Sequence, residues 1–108
     1  MEVRGYRDEH GFRCAEVVPP CPAVELLLLD DVQGYQGYCQ ELIAHLDAVQ
    51  RGDEKSWVGA GNSSTLTIKP DGARIENEYA IPNVDCDLSL EDVRVALVAW
   101  LQFLESGA

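Results

Sequence analysis

The chain has 108 residues, 46% hydrophobic and 25% charged, with 19 acidic against 8 basic side chains for a formal charge of −11. That length implies one domain, 1–108, able to bury roughly 65% of the surface its unfolded chain exposes, so neither a metal nor a disulfide is required for folding. The charge disfavours nucleic acid and anionic membrane as direct partners, both being polyanions, and favours a basic one.

The N-terminal segment MEVRGYRDEH is charged and lacks an apolar signal core, and the longest aliphatic run is Leu26 to Leu29, far short of the ~20 residues that span a bilayer. A cytoplasmic location is therefore expected. DEHG places a turn between two β-compatible runs, predicting a hairpin of residues 2–7 and 12–18. PPCP breaks the chain after it. Leu26 to Leu29 shows no alternation and is short for a helix, which suits a central strand covered on both faces.

Asp31 can cap a helix running to about Gln50, with Tyr35, Cys39, Leu42, Leu46 and Val49 recurring at helical spacing. Arg51, Gly52 and Asp53 end it. His45 flanks that stripe with no nucleophile visibly paired to it, so packing is the expected role.

The stretch WVGAGNSS at 57–64 poses a phosphate-loop question. It has neither GxxxxGK[ST] nor GxGxxG, and it precedes a strand rather than a helix, so it reads as the entry to a hairpin. In that hairpin Leu66 and Ile68 alternate with Thr65, Thr67 and Lys69, and KPDG supplies the turn. The returning strand sets Ala73, Ile75, Asn77 and Tyr79 against Arg74, Glu76 and Glu78, which predicts one wet face with both glutamates outward.

Ser89 with Asp92 makes a capping pattern that Leu88 and Val93 can staple, predicting a helix from about Leu90 to Leu104. Val93, Leu97, Trp100, Leu101 and Leu104 form its main apolar face. Val95, Val98 and Phe103 widen that face, so the helix is deeply buried or shared with a partner. The expected element order is βββαββα. The expected fold is α+β: an antiparallel sheet of four to five strands with two helices packed on one face.

Candidate chemistry is sparse. Cys14, Cys21, Cys39 and Cys86 form no CxxC pair; His10, Cys14 and Cys21 could offer three zinc ligands, but a structural site wants four, and reduced buried thiols are the expected state. No HExxH or GxSxG occurs. The carboxylate pairs Glu76 with Glu78 and Asp85 with Asp87 could serve acid and base work, yet pairs two apart on an exposed strand read as a solvated face. No enzymatic activity and no cofactor are expected. Acid is nonetheless concentrated: residues 71–92 hold seven carboxylates against Arg74 alone.

Trp57, GAGN at 59–62, TLTIKPDGARIENEY at 65–79 and LSLEDVRVALVAWLQFLES at 88–106 together resemble the CdiI-type immunity proteins of bacterial contact-dependent growth inhibition. The pattern spans about residues 31–106 and is similar, more distantly, to the YacL family. The first resemblance implies a protein that neutralises a cognate toxin domain, often a nuclease; the acid concentrated in 71–92 and the amphipathic ring of Trp57 make Trp57, Glu76, Glu78, Asp85 and Asp87 the expected toxin-binding residues. The second implies a housekeeping dimerisation or adaptor domain, with the wide apolar helix as a homodimer interface.

Overall fold

The computed structural model describes residues 1–107. Strands β1 (Glu2–Arg7) and β2 (Arg13–Val18) form the expected hairpin, paired from Glu2 opposite Val18 to Arg7 opposite Arg13. Its turn is held by Asp8, whose Oδ1 accepts the backbone N–H groups of His10 and Phe12 at 2.9 Å each. This two-stranded ribbon does not join the main sheet.

Leu26 to Leu29 is helical and not a central strand. Helix α1 (Pro22–Leu26) runs directly into a π-helical turn (Leu27–Val32), and Gln33 N–H donates to Leu28 O at 2.8 Å, an i to i−5 bond. Pro22 sits in the first turn, where its missing N–H costs nothing. Ala23, Val24, Leu27, Leu28 and Val32 then fall on one buried face. That spacing is helical once the window starts at Pro22.

Helix α2 (Gln36–Arg51) begins later than expected: its N-cap is Tyr35, and Asp31 caps something else. Its end is as expected, with Gly52 at φ 84 taking the left-handed C-cap position that disfavours a side chain. Cys39, Leu42, Leu46 and Val49 are buried as the stripe requires, whereas Tyr35, expected in the same stripe, stands at the N-cap and is exposed.

The main sheet is four-stranded and antiparallel in the order β3 (Trp57–Ala60), β4 (Ser64–Lys69), β5 (Gly72–Asn77), β6 (Cys86–Leu88). KPDG joins β4 to β5 with Leu66 opposite Ile75 and Ile68 opposite Ala73 on the buried face. Thr65 opposite Glu76 and Thr67 opposite Arg74 face away from the helices, so the predicted strand phase holds, with Glu76 and Glu78 both exposed. Two short segments expected as loop are edge strands, β3 and β6, which makes the element order differ from βββαββα. The alternation also stops at Asn77: Tyr79 lies beyond the strand and is exposed.

Helix α3 (Leu90–Glu105) starts as expected, with Ser89 Oγ accepting Asp92 N–H at 3.0 Å. Much of its wide apolar surface is covered within the chain, with Val95, Val98 and Leu101 half-buried. Helix α2 packs along one side, where Arg94 reaches Asp47 and Gln50, and the β1–β2 ribbon packs along another, with Gly5 flat against the Phe103 ring. The breadth of that face therefore reflects two neighbours in the same chain.

Trp100 is the largest side chain at 0% exposure, and its indole N–H donates to Gln33 O at 2.8 Å while its ring lies 5.0 Å from that of Phe103. Truncation removes both the packing and the bond that holds Gln33 at its positive φ of 55°. Trp100→Ala should cost about 3–5 kcal/mol in urea unfolding; a loss below ~1 kcal/mol would contradict this account of the core.

Candidate protein-binding surface

The two glycines of the 57–64 stretch are required by what lies over them. A Cβ on Gly59 would stand 2.7 Å from Cζ2 of Trp57, whose ring crosses it on the inner face of the sheet. One on Gly61 would stand 2.9 Å from the carboxyl carbon of Asp31. The anion that approaches Gly61 is the chain's own Asp31 carboxylate.

Asp31 is a buried acid, 6% exposed, and its work is to cap the β3–β4 turn. Its Oδ1 accepts the N–H groups of Ser63 at 2.9 Å and Ser64 at 3.2 Å. The network continues through Asn77, whose Nδ2 donates to Ser63 Oγ at 3.2 Å and Ser64 Oγ at 3.3 Å. Asn77 Oδ1 then accepts the N–H groups of Tyr79 at 3.1 Å and Ala80 at 2.9 Å, and Asn77 N–H donates to Asp85 Oδ1 at 2.8 Å. A chain of hydrogen bonds thus runs from the end of the π-helical turn to both ends of the 78–85 loop.

That loop presents Ile81 at 97% exposure and Tyr79 at 68%. Around them stand carboxylates that make no ion pair among the described residues: Glu76 on the open face of β5, Glu78, whose N–H donates to Ser63 O, and Asp30, whose Oδ2 lies 3.5 Å from Ser63 Oγ. The structure brings Glu76, Glu78 and Asp85 to this end of the sheet. Asp85 is committed to the loop itself: the Asn77 N–H, and secondly Asn83, hold its carboxyl below the ordinary aspartate range. Asp87 is committed too, paired at 3.1 Å with Arg74 on the open sheet face, where Lys69 adds a second cation.

Trp57 lies elsewhere. It is on the inner face of β3, at the opposite edge of the sheet from β6, half-buried and stacked on the His45 ring at 4.5 Å and 17°. The ring stack fastens α2 to β3, and His45 Nδ1, 2.9 Å from Glu54 Oε1, is hydrogen-bonded to the connection between them. Packing is the role this geometry gives both aromatic rings. Tyr79 and Ile81 were missed in the sequence because strict alternation through Asn77 points Tyr79 inward; an Asn that turns back to cap its own following amides ends the strand.

Two further places have the makings of sites. A groove of about 620 Å³ lies between β1 and α3, but Arg4 and Arg7 rim it, which is the wrong sign for a basic partner. His10 and Cys14 are not joined by Cys21 in an ion-binding group; among the described residues no three His, Cys, Asp or Glu side chains are so placed. No helix of the described residues is long and apolar enough to cross a membrane. No family model, curated protein or solved structure matches the chain.

Asp31→Ala should cost about 1.5–3 kcal/mol, because it strands two turn N–H groups that a charged acceptor now satisfies. Gly61→Ala should also destabilise by forcing that carboxylate away. A stability unchanged by both substitutions in thermal unfolding would remove Asp31 from its structural role. The depressed Asp85 group contributes stability that is complete above its unfolded-state value and is lost as pH falls through the native one. The amide proton of Asn77 should therefore titrate with a midpoint below 3.8, the ordinary aspartate value; a midpoint at or above that value would mean the bond is absent.

Proposed function

We propose that this chain is a binding protein that neutralises a basic protein partner, as an immunity protein does a toxin domain of the nuclease type, acting in the cytoplasm and without catalysis of its own. The observation that carries the reading is the 78–85 loop. It exposes most of a tyrosine and nearly all of an isoleucine, yet its backbone is fixed at both ends by Asn77 and Asp85. Exposed large apolar groups on an ordered loop are what an interface anchor requires, because the partner's binding energy is not consumed in ordering it.

The carboxylates Asp30, Glu78 and, beside Arg74, Glu76 supply the second element. An acidic rim speeds encounter with a basic surface and sets the docking orientation, while the desolvated apolar centre lengthens the complex lifetime. A nuclease needs a basic cleft for its polyanionic substrate, and an inhibitor with this arrangement can occupy the same cleft. The resemblance to CdiI-type immunity proteins and the net charge of −11 favour the same conclusion.

The test pairs the chain with the toxin domain encoded directly upstream of its gene. Tyr79→Ala with Ile81→Ala should weaken binding about 30-fold or more, chiefly through faster dissociation. Glu76→Lys with Glu78→Lys should instead slow association about tenfold and flatten its salt dependence. Trp57→Ala should lower thermal stability and leave the affinity of the folded fraction unchanged. Full growth protection by a folded variant carrying all four loop and rim substitutions would overturn the proposal.

A further inference from the structure

We infer that Cys21 and Cys86 form an oxidative modification site, a dithiol that takes a small disulfide oxidant of the glutathione class and closes into an intramolecular bridge. The two sulfurs are 3.7 Å apart although the residues are 65 positions apart in sequence. The two thiols are in hydrogen-bonding contact with no covalent bond between them. A disulfide needs about 2.05 Å, so small χ1 rotations of two half-buried side chains complete the approach.

The pair is placed at a junction. Cys21 precedes the first residue of α1, and Cys86 opens β6, the three-residue edge strand that receives the 78–85 loop. Cys86 is opposite Ile75 on the inner face, so its sulfur points toward the helices and not into solvent. Neither other cysteine shares the site: Cys14 directs its thiol to Phe12 O at 3.6 Å, and Cys39 is buried and donates to Leu97 O at 3.3 Å.

The exchange runs in two steps. The Cys21 sulfur attacks one sulfur of oxidised glutathione, breaking that S–S bond, forming a mixed disulfide and expelling one glutathione thiolate, which leaves with the Cys21 proton. Cys86 then attacks the Cys21 sulfur, forming the protein bridge and expelling the second glutathione with the Cys86 proton. The protein loses two hydrogens and two electrons, and one glutathione disulfide becomes two thiols. Burial first, and Cys21 beside it second, push the Cys86 thiol up to about 12, which makes Cys86 a poor initial nucleophile, so its attack on the mixed disulfide rests on the contact geometry. Because the folded chain already holds the sulfurs in contact, that step has a high effective concentration.

The consequence is mechanical. A short edge strand frays easily, and a covalent tie to α1 removes that freedom while closing a long loop in the unfolded chain.

The experiment treats the full, folded chain with a glutathione redox series, followed by intact mass and peptide mapping after alkylation of free thiols. The expected product is about 2 Da lighter, carries one Cys21–Cys86 crosslink, retains alkylatable Cys14 and Cys39, melts at least about 5 °C higher, and exchanges amide hydrogen more slowly in residues 84–88. Cys21→Ser and Cys86→Ser should each abolish the crosslink and the rise in melting temperature; Cys14→Ser should leave both intact. Stable mixed disulfides without closure, a bridge to Cys14 or Cys39, or both thiols remaining alkylatable at the oxidising end of the series would each overturn the inference.

Discussion

One buried carboxylate sets the arrangement of the parts that matter for recognition. Asp31 ends the first helical segment and turns into the β3–β4 turn, where it satisfies two backbone donors that no strand partner reaches. A buried charge is tolerable only when its acceptor capacity is used, so the turn must hold Ser63 and Ser64 where Asn77 can bridge them. From Asn77 the same network fixes the start and the end of the 78–85 loop. No buried side-chain nitrogen or oxygen among the described residues lacks a partner, which is the condition for such a network to rigidify and not weaken a fold.

This explains how an otherwise simple α+β sandwich comes to expose an isoleucine almost completely. The inner face of the sheet is filled by Leu66, Ile68, Ala73 and Ile75 against Leu42, Leu46, Leu97 and Trp100, and of the loop Val84 packs against that core. The tip of the loop is ordered by the polar contacts at its two ends. Its apolar side chains are therefore free to be spent on a partner, and the acid around them is not consumed by internal ion pairs.

Features with local causes were legible in the sequence. KPDG, Ser89 with Asp92, the α2 stripe and the Thr65–Asn77 alternation all act within a few residues, and the hairpin, both long helices and the outward glutamates follow from them. The run Leu26 to Leu29 misled because its helical phase appears only when Pro22 is read as a helix start and not as the end of a break. Asp31 looked like an N-cap because Asp before a periodic stretch usually is one; that its carboxylate crosses to residues 63 and 64 depends on a contact 32 positions away. Gly59 and Gly61 hid strand β3 for a related reason, since each is small to admit a side chain that sequence spacing does not place beside it. In the candidate surface the carboxylates were legible as a charge run, whereas the apolar anchor was not, because the strand ends one residue pair earlier than alternation implies.

The most direct measurement is an amide hydrogen-exchange footprint of the wild-type chain, free and mixed with the basic toxin domain that the proposed function requires. The account predicts protection confined to residues 76–85 together with the neighbouring turn at 30 and 62–63, with the surface around His45 and Trp57 and the β1–α3 groove unchanged. Protection centred on Trp57 or on the Arg4 and Arg7 groove, with the 78–85 loop still exchanging as in the free protein, would contradict it.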